Sequence, residues 1–561
     1  MVATPEFSFK TRQEALLKFR EQTFDFLIIG GGITGAAVAR DAASRGLKVA
    51  VVEKNDFAFG TSSRSSKLIH GGLRYLENFE FRLVFEALTE RALLLRTAPH
   101  MVRPLPFYFP VYEGDPHGKG IIAMGMWLYD LLALFRTPGA HKNLSRQGLL
   151  DLIPFLRSEG LSGGFRYYDA SMWDDALAIQ TLRSAHEMGA QVANYVEALN
   201  PIFEGERISG FRCKDLEALS SAVAEFDIKA RRVILCAGPW TDRVGSRLSS
   251  AWKPWLKPSK GVHLVFDIKR IPVPGAMVMS HPEDGRISFV IPRPDFGAGV
   301  VIVGTTDDPA PQDPDQLGIE KSEVKYLMRL LHRYFPILNL TTGDIVSAYV
   351  GIRPLMDTGA ATLQKISREH HIDLGPGGTT IVAGGKYTTH RMMGKEIVDF
   401  TLKDWRRASG QNKGPAFPLG LRKSETRSPV FYKALPKAVA EARAKGIKSE
   451  HKIPEELFSR YGADAIAVAD LDSNSTFPVG LPLLAAQLKY TIRNEMVMHL
   501  EDFFIRRVPL FLSRSDHGLP WAEVLSKVWA SELGKGEKET LAEFERLRAE
   551  FDRRNEWKKS L

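Results

Sequence analysis

Residues 25–54 read DFLIIGGGITGAAVARDAASRGLKVAVVEK, and no other stretch restricts the fold as tightly. An apolar, β-branched run ends in glycines, small residues then recur at helical spacing up to Gly46, and a second apolar run closes on Glu53. Strand, tight turn, helix and parallel strand make a βαβ unit of the dinucleotide-binding kind. Within Gly30-x-Gly32-x-x-Gly35 the first glycine turns the chain and the second lets backbone approach a pyrophosphate. The third packs helix on strand, and the amides that open the helix, around Ile33 and Thr34, face the phosphates. Glu53, 18 residues after Gly35 and followed by Lys54, is placed to accept bonds from ribose hydroxyls. A carboxylate there repels a 2′-phosphate, so NADP is disfavoured; the motif alone leaves NAD and FAD open.

A chain of 561 residues outgrows one hydrophobic core, which stops near roughly 250–300 residues, so two or three domains are expected. Hydrophobic and charged fractions of 44% and 25% are those of a folded protein. Two cysteines, Cys213 and Cys236, argue against a disulfide framework, fit a reducing compartment and offer no metal-site spacing. The opening MVATPEFSFKTRQE lacks the apolar core of a signal peptide. The longest apolar run, IIAMGMWLYDLLALF at 121–135, is interrupted by Asp130 and falls short of the about 20 residues that span a bilayer. It is expected to be a buried helix, contact with a membrane surface being the alternative. The net charge of +9 suits nucleic acid, an anionic small substrate or an anionic lipid surface. Because basic and acidic residues are interspersed and no aromatic-basic RNA motif occurs, nucleic acid is not expected as a partner.

Further helices are expected at 11–22, at 77–97 before Pro99 and at 174–190, with extended chain at 104–112 and strands in 191–199 and 228–238. Residues 261–306 read as an antiparallel sheet, and 378–405 as strand, glycine turn and helix, restoring the first pattern. A polar linker is expected at 403–430 and helices alone beyond it.

The stretch SSRSSKLIHGGLRYLE, residues 62–77, begins where the second strand releases the chain over the cofactor. Hydroxyls and amides of Thr61, Ser62, Ser63, Ser66, Lys67 and Leu68 suit phosphates and a ribityl chain, and Gly71 and Gly72 let backbone pass a flat ring. His70, Arg74 and Tyr75 point chemistry at whatever lies on that ring.

Together with CAGPWTD (236–242), PSKGVHLVF (258–266), VGTTDDP (303–309), VGIRPL (350–355), ISREHHID (366–373) and AGGKYTTHR (383–391), that stretch closely resembles FAD-dependent glycerol-3-phosphate dehydrogenase. The resemblance runs from about residue 20 to beyond 510 and includes NEMVMHLEDFFIRR in the tail. It implies an α/β plus α+β fold of D-amino-acid-oxidase type: a discontinuous Rossmann-like FAD domain (1–98, 171–250 and 356–410), a β-rich substrate domain (99–170 and 251–355) and a helical C-terminal cap (426–561). FAD contacts would extend to Val196, Ala237, Gly238, Trp240, Gly385, Lys386 and Thr388.

The implied reaction oxidises sn-glycerol 3-phosphate to dihydroxyacetone phosphate, a hydride passing from C2 to flavin N5. It needs cations for a phosphate carrying about −1.5 to −2 charge, and Arg74, Arg353, Arg368 and Lys386 are the candidates. His70 or His263 would take the hydroxyl proton, or Arg353 would polarise the forming alkoxide. Tyr75 and Thr305 or Thr306 are hydroxyl partners for substrate. Electrons would pass to a membrane quinone from a chain attached peripherally to the cytoplasmic face, or cytoplasmic, through its basic charge, the helix at 11–22 and the 121–135 run. A homodimer is allowed. The rivals are an oxygen-using oxidase of the same branch, which the resemblance associates with a mid-chain insertion not evident here, and an amine or hydroxy-acid oxidase of the same fold.

Overall fold

The computed structural model describes residues 6–561 apart from 77–78, 116–117, 135, 219, 358–369, 411–416, 419, 425–433, 449–452 and 472–480. The expected unit forms at the N-terminus: α1 (Phe9–Glu21), β1 (Thr23–Ile29), α2 (Ile33–Ser44) and β2 (Val49–Val52). β1 lies parallel to β2 on one side and to Glu225–Leu235 on the other. The sheet runs His370–Leu374, Thr380–Gly384, Glu225–Leu235, β1, β2, Gln191–Ala193, with the antiparallel pair Val196–Glu204 and Arg207–Asp215 added.

Both faces of this sheet are covered, so its central strands are apolar without alternation. Phe26, Ile28, Val49 and Val51 pack under α2, with Asp174–Glu187 and His390–Gly410 beside it. Leu27, Ile29, Ala50 and Val52 face Ala15, Leu16 and Phe19 of α1. That packing spends most of the apolar side of α1 on the molecule's own core and leaves Leu17 as its one exposed large apolar side chain. Its Arg12 is buried too, paired with Asp215.

Beyond β2 the chain crosses to a second sheet through β3 (Leu68–Ile69), which pairs with Ala170 and Ser171. Helix α3 (Phe81–Thr97) and strand β4 (Val102–Tyr112) follow; the helix starts later than expected. The second sheet has the order Asp308–Pro309, Ser259–Asp267, Val300–Gly304, Ile287–Arg293, Ala276–Ser280, β4, Leu161–Met172, β3. Ile345–Arg353 joins it against Ser259–Asp267, and among the described residues only Ala276–Ser280 with β4 is parallel. The expected antiparallel segments are there. Leu161–Met172, Arg207–Asp215 and Ile345–Arg353 were not foreseen.

Helix α4 (Lys119–Leu132) overturns the expectation for the apolar run. Ile121, Met124, Trp127 and Leu131, with Leu134 just past its end, are more than half exposed, while Met126, Tyr129 and Asp130 are buried. Polarity decides this inversion. Tyr129 Oη donates to Asp169 at 2.9 Å and Asp130 accepts from His141 at 2.8 Å, so the polar groups turn inward.

The linker begins later than expected, because His390–Gly410 continues until its buried Trp405 and Ala408 are packed. From residue 434 onward the described chain is helical. Its apolar side chains, Leu488, Phe503, Phe511 and Phe551 among them, share one core with Val84, Leu88, Met126 and Tyr129 of α3 and α4. Among the described residues no helix is long and apolar enough to cross a membrane.

Candidate active site

At the end of β1 the three glycines meet different demands. A Cβ on Gly30, whose φ is +115°, would lie 2.4 Å from Cys236 O, and one on Gly35 would lie 1.9 Å from Gly30 O. Both are required by the protein's own backbone. A Cβ on Gly32 would meet only Ser62 Oγ, at 3.1 Å, so bare backbone there serves something in the cavity. The Ile33 amide donates to Ser62 Oγ at 2.9 Å, joining the helix start to the hydroxyl-rich stretch. Glu53 accepts from the Gly31 amide (2.7 Å) and the Asn55 amide (2.9 Å). Burial raises its pKa to about 7 against those two bonds.

One continuous cavity is lined from both sheets. Of the residues expected from sequence it takes in Gly30, Gly32, Ile33, Thr34, Glu53, Lys54, Thr61, Ser62, Ser66, Leu68, His70, Val196, Ala237, Gly238, Trp240, His263, Arg353, Gly385, Lys386 and Thr388. Thr61 Oγ1 donates to Ile352 O at 2.5 Å, tying the stretch to the second sheet. His70 is half-buried, its ring 6.4 Å from that of Phe289.

His263 is buried, with Nε2 2.9 Å from Ser66 Oγ and its ring stacked on Tyr349 at 4.6 Å. Burial, then the positive charges of Arg353 and Lys67, hold its pKa down to about 3, so the imidazole is neutral at physiological pH. Arg353 is held from behind: its Nη1 donates to Ser259 Oγ (3.2 Å), Lys260 O (3.3 Å) and Asp307 Oδ1 (3.1 Å). Its Nη2 donates to Thr305 Oγ1 (3.0 Å) and Thr306 O (3.1 Å). A Cβ on Gly261 would lie 2.5 Å from that Nη2, so the glycine in KGVHLVF makes room for the guanidinium.

Other expected residues lie elsewhere. Thr305 sits behind Arg353, its hydroxyl spent on the guanidinium and on Thr306 O. Lys67 is a correction: its ammonium is buried on Asp174 at 2.6 Å and on Ser63 O at 3.1 Å, so it faces away from the cavity. Burial keeps the Asp174 carboxyl above its usual range despite that lysine. Arg74 and Tyr75 fall in a 3-10 turn, Leu73–Leu76, and their side chains lie outside the described residues, as does Arg368 entirely.

Sequence reasoning missed Arg64, Ser65, Phe59 and Gly351 on the cavity wall, and Asp307 and Tyr349 behind it. Arg64 and Ser65 stand inside the stretch already singled out. Gly351 carried a usable signal, since it opposes Gly261 on the neighbouring strand; the space they spare is taken by Arg64 at Gly351 and by Thr305 and Arg353 at Gly261.

A parallel sheet ending in a bare glycine cradle, continued by hydroxyls into a neutral histidine and a braced arginine, defines a dinucleotide-dependent oxidoreductase fold. The sequence model described as "FAD dependent oxidoreductase" matches residues 25–399, and that of the "C-terminal domain of alpha-glycerophosphate oxidase" matches 432–540. An aerobic glycerol-3-phosphate dehydrogenase of Staphylococcus saprophyticus is 34% identical over 529 residues, 93% of each chain. The solved glycerol-3-phosphate dehydrogenase of Bacillus halodurans complexed with FAD superposes with a TM-score of 0.76 at 28% identity, covering 97% of this chain and 98% of that one. An L-alpha-glycerophosphate oxidase of Mycoplasma pneumoniae shares the fold, with a TM-score of 0.51 at 17% identity over 68% of this chain and 95% of that one. The chain belongs to the family of FAD-dependent glycerol-3-phosphate dehydrogenases, and its cofactor is FAD. The glycine cradle, Glu53 and the hydroxyls fit that dinucleotide.

Proposed function

We propose that this chain oxidises sn-glycerol 3-phosphate to dihydroxyacetone phosphate and passes the electrons to a membrane quinone. The observation that carries the reading is a neutral, buried His263 beside a guanidinium whose orientation is fixed by five acceptors, both on the wall of the cavity that holds the glycine cradle. FAD, when bound, accepts the hydride from C2. Arg353, with Lys386 and the arginines at 74 and 368, neutralises the phosphate and the forming alkoxide. His263 takes the hydroxyl proton, and His70 lines the same wall as the alternative base. Arrival of a dianion opposes the charges of Arg353 and Lys67 and so raises the basicity of His263 toward its working range. Thr305 holds Arg353 in place.

The sheet-by-sheet division supports a discontinuous FAD domain and a β-rich substrate domain, as the sequence suggests. We place the chain peripherally at the cytoplasmic face, with the exposed apolar side of α4 against lipid, and a homodimer is compatible with this. A second reading, transfer to oxygen, is favoured by the C-terminal match to an oxidase family. Anaerobic mixing with glycerol 3-phosphate should bleach the flavin band, and unphosphorylated glycerol should not. An unbleached spectrum overturns the substrate assignment, and stoichiometric peroxide on admitting air selects the oxygen reading.

A further inference from the structure

Arg64 lies on the cavity wall, its guanidinium carbon 4.9 Å from the centre of the ring of Phe59, which lines the same cavity. Its position is built, not incidental. The Arg64 amide donates to Thr61 O at 3.1 Å, and Thr61 and Ser62 are themselves tied to Ile352 and Ile33. A Cβ on Gly351 would fall 2.7 Å from Arg64 O and 3.0 Å from its Cβ, so a glycine in the facing strand lets this residue through.

Among the described residues no carboxylate stands within ion-pair distance of the Arg64 side chain, and no acceptor takes a hydrogen bond from it. The charges that act on it most are those of Arg554, Arg506, Glu550 and Arg553. Arg506 is neutralised by Asp56 (2.6 Å) and Asp502 (2.7 Å). Arg553 and Arg554, on the C-terminal helix Glu537–Asn555, share the single carboxylate of Glu550 at 2.8 and 2.6 Å. Among the charges that act most on Arg64, cations therefore outnumber the one carboxylate, Glu550. Burial, then Arg554 and Arg506, lower the Arg64 pKa to about 9, with Glu550 opposing them.

We propose that Arg64 is a phosphoryl-binding site on the cavity wall, its positive field reinforced by Arg553 and Arg554 of the C-terminal helical region. Two sources supply that chemistry here: the diphosphate of FAD and the phosphate of the substrate, the latter resting on the function proposed above. A planar fork that donates to phosphoryl oxygens suits either.

The test uses flavin-stripped wild type and Arg64→Gln, titrated with FAD and with riboflavin, which lacks the diphosphate, and followed by flavin fluorescence. The reconstituted enzymes are then assayed for the KM of glycerol 3-phosphate. Loss of one charge-assisted contact weakens binding roughly 10–100-fold. If the diphosphate is the ligand, the FAD Kd rises by that factor and the riboflavin Kd is unchanged. If the substrate phosphate is, the FAD Kd holds and KM rises instead. An FAD Kd and a KM both within about twofold of wild type overturn the proposal. Should Arg64→Gln fail to fold, Glu550→Gln serves: removing the shared carboxylate should tighten the same ligand several-fold and steepen its salt dependence, and an unchanged Kd and KM would again overturn it. Wild-type apoprotein that takes up no FAD would count against the flavoprotein assignment and not against Arg64.

Discussion

Gly30, Gly32 and Gly35 look equivalent in the sequence, yet only at Gly32 does a methyl group meet no backbone, just the Ser62 hydroxyl at 3.1 Å, which must yield slightly. Gly32→Ala should therefore fold with a melting temperature near that of wild-type apoprotein and yet retain little FAD, because the added carbon occupies the pyrophosphate's approach. Gly35→Ala should lose stability whether or not flavin is supplied, its Cβ striking Gly30 O. Equal flavin content in wild type and Gly32→Ala would contradict this division. Arg353→Ala should lower kcat by about 10²–10³-fold with FAD still bound, the loss typical of a removed transition-state donor. Arg353→Lys should not restore it, since one ammonium cannot span Asp307 and Thr305. Unchanged turnover by Arg353→Ala would remove the residue from the site. The cradle was legible because its spacing is local. Lys67 misled because its partner, Asp174, lies 107 residues away, and Arg64 escaped notice because its surroundings come from a helix near the chain's end.

Among elements, α4 shows how a sequence pattern can be read correctly as a helix and wrongly as to face. The run is apolar almost throughout, so only its polar members report orientation, and their partners Asp169 and His141 are not visible in it. The side left outside carries Ile121, Met124, Trp127 and Leu131, and burying each in lipid is worth about 1.5–3 kcal/mol. Replacing Trp127 and Leu131 by serine should abolish sedimentation with anionic vesicles while leaving turnover with a soluble dye acceptor intact. Vesicle binding equal to wild type would move the membrane face elsewhere.

A second element carries a pH signature. His499, before the short helix Leu500–Asp502, is clamped between Glu217 Oε1 and Glu543 Oε2, both at 3.0 Å. Burial alone would depress its pKa, but the two carboxylates outweigh it and raise it to about 10. A raised folded value means that the clamp's stabilisation is whole below about pH 6.5 and fades as pH climbs toward 10. His499→Gln should cost roughly 3–5 kcal/mol at pH 6 and progressively less toward pH 10. A pH-independent difference would show that the charge plays no part.

At the scale of the whole molecule, the C-terminal helices are fastened to the loop that follows Glu53. Asp56, fully buried, receives Arg506 at 2.6 Å and Arg507 at 2.8 Å, while Tyr195 donates to Asp502 and Arg460 pairs with Asp175 at 2.6 Å. The sequence showed a helical tail but not this fastening, because each ion pair joins residues hundreds of positions apart. Chains with several domains commonly unfold in steps. Here the apolar core of the second sheet continues into the C-terminal helices without a break, so neither part can open without exposing the other. Flavin fluorescence and far-UV ellipticity should then report one coincident thermal transition. Arg507→Met, which leaves Asp56 a single arginine and breaks a buried ion pair at a cost of about 3–5 kcal/mol, should shift both probes downward together. Release of flavin at a temperature where the helical signal is still intact would mean that the tail is a separate body, and that its arginines do not hold the cofactor loop.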